Sequence, residues 1–413
     1  MYTRLHEYFD VRCIDCNQSY GVDEIVYTCR GCGGLLEVHL DIERLSDVIS
    51  IGLWRERPLN VWRYRELLPI FDDSKIVSMN EGGTRLLRCR NLAEEVGLEN
   101  LYIKCEGDNP TGSFKDRGMS IGVSKALELG FKATLCASTG NTAASLAAYS
   151  ARAGLKCYVL VPAGKIALGK LSQAMMYGAR VLAVKGSFDS ALKVAIQICL
   201  EEDRIYLLNS VNPFRIEGQK TAALEIFDQL GFNPDNIVIP VGNAGNISAY
   251  WKGFNELRML GLTEKLPRMH GVQARGANPL VKAYRSMSWI VEPLENPETV
   301  ATAIRIGNPI SWKKALRTVH ESRGSMIDVS DEEILDAQKL VARMEGLFIE
   351  PASAASIAGV RRLVEEGVID RNEVTVCIAT GHGLKDPEIA LKICEPPIEV
   401  DPDTESLRRM LTV

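Results

Sequence analysis

Lys115 is the residue with the most chemistry available to it. It stands in Asn109-Pro-Thr-Gly-Ser-Phe-Lys-Asp-Arg-Gly118, where Asn, Pro and Gly make a turn that opens a helix through 119–129. Desolvation and the positive end of the helix dipole both disfavour an ammonium there. A lysine that sheds its proton readily can form a Schiff base with an aldehyde cofactor. An isolated lysine in a turn would read as solvated surface. Three further polar segments follow in an order that suits a cofactor site.

Ala137-Ser-Thr-Gly-Asn-Thr-Ala143 ends the apolar run ATLCAS and opens a helix. Small hydroxyl and amide side chains with free backbone N–H groups make a cradle for a carboxylate. N-capping by Ser138 or Thr139 would account for one such residue but not for the cluster. Gly242-Asn-Ala-Gly-Asn246 lies between the run NIVIPV and the helix-like ISAYWKGFNELRML, an arrangement that binds phosphate through backbone N–H groups. Ala379-Thr-Gly-His-Gly-Leu-Lys-Asp386 ends EVTVCIA. The Thr380 hydroxyl can donate to a ring nitrogen and keep a pyridine neutral, where an Asp would hold the pyridinium. His382, between two glycines, reads equally as a base and as a structural residue. In NSVNPFRIEGQKT (209–221), Asn209, Ser210 and Arg215 could bind a second phosphate, with Arg215 offering a planar fork. Gly164-Lys-Ile-Ala-Leu-Gly169-Lys170 has P-loop spacing, but Leu171 replaces the hydroxyl that would hold magnesium, so nucleotide hydrolysis is not expected. Lys165 and Lys170 read either as neighbours of an anionic substrate or as solvated helix-start lysines.

The N-terminus carries a separate constellation. Cys13-Ile-Asp-Cys16 and Cys29-Arg-Gly-Cys32 are two CxxC knuckles, twelve residues apart. Such a pair closes a tetrahedral four-thiolate shell around zinc and leaves no open position, so the metal would be structural. The connecting YGVDEIVYT alternates as a short strand would, and Gly31, Gly33 and Gly34 permit the knuckle turn. Asp10, Asp15, Asp23 and Glu24 nearby argue against a nucleic-acid role for the ribbon.

These segments need elements to hold them. Residues 33–75 read as a helical connector. Beyond it LYIKCE, ATLCAS, KCYVLVP, ARVLAV, NIVIPVG, MHGVQA and EVTVCIAT are short apolar runs separated by amphipathic stretches. That alternation reads as βαβ units with parallel sheets, an α/β class in which ligands gather at strand C-termini. Length supports two domains or more: the chain has 413 residues, 46% hydrophobic and 24% charged. A net charge of −5 argues against a general nucleic-acid binder. No apolar run reaches about 18 residues and no secretory signal opens the chain, so no membrane span is expected. Eleven cysteines, an odd number on a long chain, suit reduced thiols in a cytoplasm.

Taken in order, the motifs resemble the threonine synthases, pyridoxal-phosphate enzymes of the tryptophan synthase β-like (fold type II) superfamily. NEGGTRL (80–86), NPTGSFKDRGM (109–119), ASTGNTAAS (137–145), PAGKIALGKL (162–171), NSVNPFRIEGQKT, GNAGN, AIRIGNP (303–309), EPASAAS (350–356) and ATGHGLKD carry the likeness across 78–390. The ribbon resembles an extension found in some members. The resemblance implies Lys115 as the Schiff-base lysine, Asn141 on the 3′-oxygen of the cofactor ring and Thr380 on its nitrogen. Gly242, Asn243, Ala244, Gly245 and Asn246 would hold the cofactor phosphate. Ser138, Thr139 and Thr142 would hold the substrate, with Ser210 and Arg215 near its phosphate and Asn243 serving both phosphates. It implies conversion of O-phospho-L-homoserine and water to L-threonine and phosphate, by a homodimer. It also implies two doubly wound domains after a ribbon (1–40), a large one from 41–119 and 210–413 and a small one at 120–209. Rival expectations are a serine or threonine dehydratase, a cysteate synthase, and an adaptor built on an inactive enzyme. GNAGN, where dehydratases usually carry a run of glycines, and Arg215 oppose the first.

Overall fold

The computed structural model describes residues 2–163, 168–186 and 188–411. Its larger sheet has six strands in the order Met326–Val329, Arg268–Ala274, Asn236–Pro240, Val374–Ala379, Asn100–Cys105, Leu86–Arg88. All neighbours run parallel except the last pair. Asn236–Pro240 is buried at every position, as a strand covered by helices on both faces must be. The second sheet is wholly parallel, in the order Arg180–Val184, Lys156–Pro162, Ala133–Ala137, Ile205–Leu207. The α/β expectation is borne out, and all seven apolar runs form strands. Leu86–Arg88, Ile205–Leu207 and Met326–Val329 escaped the sequence reading because three or four residues are too few to show a period.

The N-terminal segment is a three-stranded antiparallel sheet with Phe9–Cys13 between Ser19–Tyr20 and Leu36–Leu40. Two expectations need correction here. YGVDEIVYT is not a strand beyond Tyr20: Glu24 accepts from Gly21 N at 2.9 Å and bends the chain. Val22, Val26 and Tyr27 are buried while Ile25 is left exposed, so the alternation is not realised. The connector also does not begin as helix. In LEVHL a period of two buries Leu36, Val38 and Leu40, and the strand closes the ribbon. Short helices follow at Ile42–Ser46 and Ile51–Arg55, then a 3-10 turn at Val61–Leu67.

The ribbon is continuous with the body. Val11, Val38 and Leu40 share one hydrophobic core with Phe214, Ile247, Trp251 and Phe254. Lys314 Nζ donates to Leu36 O at 3.1 Å, Lys313 pairs with Asp15 at 2.8 Å, and Lys252 donates to Val38 O. No helix among the described residues is long and apolar enough to cross a membrane.

Candidate active site

Lys115 is the first residue of the helix Lys115–Glu128. The turn before it is held by its own neighbours. Asp116 accepts from Thr111 N at 2.7 Å, from Thr111 Oγ1 at 2.5 Å and from Ser145 Oγ at 2.6 Å. Arg117 is buried between Glu106 and Glu225, each 2.6 Å away. Phe114 N donates to Thr380 O at 3.0 Å, tying the turn to the end of the strand Val374–Ala379. Lys115 alone of this trio has no hydrogen bond to its side chain among the described residues. Its Nζ lies 3.9 Å from the centre of the Phe114 ring. Burial pushes the amine down to about 7, the Arg215 charge adding to the effect and Glu350 opposing it.

Arg215 belongs to the helix Phe214–Leu230, which crosses the lysine helix at two glycines. A Cβ at Gly118 would lie 2.8 Å from Arg215 O, and one at Gly218 only 1.9 Å from Arg117 O. The Arg215 side chain is buried, and its Nε lacks a hydrogen-bond partner. Burial lowers it to about 10, which still leaves a cation at neutral pH.

Four helices begin at the motifs, at Lys115, Asn141, Phe214 and Gly245, and none has a side-chain cap. Helices elsewhere vary: Asp331–Glu345 has a full capping box, whereas Pro279–Arg285 and Trp312–Glu321 also lack a side-chain cap. Uncapped N-termini leave N–H groups for an anion. Neither Ser138 nor Thr139 caps the helix Asn141–Arg152, whose N-cap is Gly140. Ser138, Thr139, Asn141, Thr142 and Ser210 are all half-buried. Within 242–246, Ala244 takes φ +66, a left-handed conformation costly for a residue with a Cβ. A Cβ at Gly242 would lie 3.1 Å from Ile304 Cα, and Asn243 O accepts from Ser311 N at 3.1 Å. Asn246 is buried with both side-chain polar atoms unpartnered. Buried amides are rarely left so, and this one suits a phosphate loop.

Asn141 and Thr380 are joined by a residue the sequence reading did not single out. Glu350 accepts from Asn141 Nδ2 at 3.0 Å with one oxygen and from Thr380 Oγ1 at 3.0 Å with the other. In Glu350-Pro351 it reads simply as the residue before a helix, since Pro351 opens Pro351–Glu365.

Residues 77–381 match the family of pyridoxal-phosphate dependent enzymes. The chain is 59% identical to the threonine synthase of Methanocaldococcus jannaschii, over 97% of its own length and 98% of the relative's. It is 53% identical to that of Methanosarcina acetivorans, over 98% of both chains. It is 54% identical to that of Mycobacterium tuberculosis, over 82% of its own length and 92% of the relative's. The chain belongs to the threonine synthases.

Solved structures bear out the fold of this threonine synthase family member. Tomato threonine deaminase superposes with a TM-score of 0.63 at 25% identity, over 75% of this chain and 86% of that one. Maize serine racemase gives 0.63 at 22%, over 75% and 91%. Two polar residues of the motifs are engaged within the protein itself. Asn209 is bound to both backbone groups of Ala137, at 2.9 and 3.0 Å, and so serves the sheet instead of an anion. His382 accepts from Leu384 N at 3.1 Å through Nδ1 and packs edge-on against Phe348, which favours the structural side of its two readings. Lys165 lies outside the described residues, as does the side chain of Lys170. Far from this site in sequence, the Sγ atoms of Cys13, Cys16, Cys29 and Cys32 lie within 4.8 Å of one another. Tyr20 OH donates to Cys29 Sγ at 3.2 Å and Asp15 N to Cys13 Sγ at 3.4 Å.

Proposed function

We propose that this chain converts O-phospho-L-homoserine and water into L-threonine and phosphate, with Lys115 as the amine that binds pyridoxal phosphate. When bound, that cofactor supplies an aldehyde for an amine and an electron-withdrawing ring that acidifies neighbouring C–H bonds. The uncapped loop 242–246 and the unpartnered Asn246 amide would receive its phosphate. Asn141 would face its 3′-oxygen and Thr380 its ring nitrogen. Ser138, Thr139 and Thr142, at an uncapped helix start, would hold the substrate carboxylate. Lys115 Nζ, with an affinity for protons near neutrality, is suited to take the α proton and return it.

The observation that carries the substrate choice is Arg215. Three other buried cations are paired: Lys104 with Glu225 at 2.8 Å, Lys220 with Glu217 at 2.6 Å, Arg117 with two carboxylates. Arg215 has no counter-charge among the described residues, and an uncompensated buried cation is costly. A leaving phosphate would supply that charge, with Ser210 and Asn243 at its side. A dehydratase acting on an unphosphorylated amino acid leaves Arg215 without a purpose. Phosphate release from O-phospho-L-homoserine and L-phosphoserine, with ammonia release from L-threonine measured in parallel, tests the reading; deamination of L-threonine as the main activity would overturn it.

We infer zinc for the four cysteines. Pairs of sulfurs stand 3.5 Å apart in Cys13–Cys32 and Cys16–Cys29. A tetrahedron with Zn–S near 2.3 Å asks for roughly 3.8 Å. The set has no open vertex, which supports a structural ion.

A further inference from the structure

Glu350 is a buried carboxylate for which the reading above has no task. It is 4% exposed and holds Asn141 and Thr380 at once, the two side chains proposed to face the cofactor ring. A threonine hydroxyl owns one proton. While Glu350 accepts that proton's hydrogen bond, Thr380 has only lone pairs to turn elsewhere. Ser353 does not release it. Its Oγ is 3.1 Å from Thr380 Oγ1, but accepts from Gly381 N at 2.9 Å and has Gly381 O as its own acceptor at 3.2 Å.

We propose that Glu350 sets, through Thr380, whether the cofactor's ring nitrogen meets a hydrogen-bond acceptor or a donor. The inference rests on Thr380 facing that nitrogen. As a carboxylate, Glu350 accepts from Thr380, which then turns a lone pair to the ring nitrogen and favours its protonated form. As a carboxylic acid, Glu350 donates to Thr380, and the Thr380 proton is free for an unprotonated nitrogen. The pair does adjustably what an Asp at position 380 would do permanently. Several groups bias the balance. Burial raises the Glu350 carboxyl, while Asn141, Thr380 and the more distant Lys385 and Lys115 favour its ionised form. Lys385 itself is hydrogen-bonded to Thr111 O at 2.9 Å and to Gln173. His382, opposite Ile349 in a β-bridge, uses its Nδ1 on Leu384 N.

The test is nuclear magnetic resonance of the holoenzyme loaded with pyridoxal phosphate isotopically labelled at the ring nitrogen, from weakly acidic to mildly alkaline buffer. In the wild type the nitrogen signal should lie nearer the protonated position than in Glu350→Gln around neutral pH, because the Glu350 carboxylate and a protonated nitrogen share one proton between them, and it should lose that proton only as the buffer becomes alkaline. Glu350→Gln keeps the shape, and its amide N–H can always donate to Thr380, so its signal should stay at the unprotonated position throughout. Thr380→Val, which removes the hydroxyl, should differ from both. A Glu350→Gln signal that follows the wild type at every pH, while Thr380→Val departs from it, overturns the role of Glu350 alone. A Thr380→Val signal identical to the wild type removes Thr380 from the ring and takes the proposal with it. The wild-type spectrum stands without any variant: a nitrogen signal at the unprotonated position at every pH overturns the proposal even where Glu350→Gln does not fold.

Discussion

At the scale of the residue, two cations define the site by what they lack. Among the described residues Arg215 is buried without a carboxylate partner, and the Lys115 side chain has no hydrogen bond. Arg215→Ala should lower turnover of O-phospho-L-homoserine by about 30-fold or more, the equivalent of roughly 2–5 kcal/mol for a desolvated charged pair. Side activity on unphosphorylated L-threonine should fall far less, because no phosphate is there to clamp. Equal losses in the two assays would make Arg215 a residue of the fold. Lys115 should titrate near 7 in cofactor-free protein. Below that pH it is an ammonium and inert; above it the free amine reacts. Reductive methylation followed by peptide mass spectrometry should therefore show Lys115 reacting at neutral pH, well before ordinary lysines. The folded state binds this proton less tightly than the unfolded chain, so the site also contributes stability that rises with pH between about 7 and the ordinary lysine range. Much of this was legible in the sequence, since Lys115, Asn141 and Thr380 sit in small, polar segments at strand ends. Glu350 was not, because a lone Glu before Pro has no local sign of its partners 209 and 30 residues away. Asn209 misled for the opposite reason: a polar loop residue looks the same whether it binds a ligand or a backbone.

At the scale of the element, the helices Lys115–Glu128 and Phe214–Leu230 carry the two cations, and their separation is fixed where Gly118 and Gly218 meet. Gly218→Ala places a methyl against the Arg117 carbonyl, where the structure leaves 1.9 Å. Overpacking of this kind costs about 1–3 kcal/mol. The variant should lower the melting temperature and depress turnover by moving Arg215 against Lys115; unchanged values for both would show that the crossing tolerates expansion. Ala244→Gly works in the other direction. Glycine occupies a φ of +66 without strain, so the variant should keep its cofactor affinity and lose no stability. Equilibrium unfolding with and without cofactor checks it. The βα alternation announced seven of the ten strands of the two larger sheets, because parallel strands buried on two faces are continuous apolar runs. The glycine crossing was not visible, since a glycine inside a helix gives no notice of which helix it will touch.

At the scale of the molecule, the ribbon is keyed into the enzyme body. Lys252 reaches Val38 O from the ribbon strand and Glu217, and Glu217 lies two residues beyond Arg215 on the same helix. Removing zinc with a chelator, or replacing Cys13 and Cys16 by Ser, should therefore lower a single cooperative unfolding transition instead of detaching a separate one. Activity should persist below that transition, because no cysteine of the ribbon is among the residues proposed to touch the cofactor. Calorimetry and metal analysis decide this: protein purified without chelator and free of zinc, or a folded double variant with no activity, would contradict it. The ribbon's four cysteines were readable from spacing, whereas its union with the body depends on contacts between residues such as Asp15 and Lys313, 298 positions apart. The most direct measurement is of products from O-phospho-L-homoserine, with phosphate and L-threonine quantified in the same reaction. One phosphate per threonine, with no comparable turnover of L-phosphoserine or L-threonine, is the predicted result. Phosphate release without threonine, or threonine consumed faster than O-phospho-L-homoserine, would contradict it.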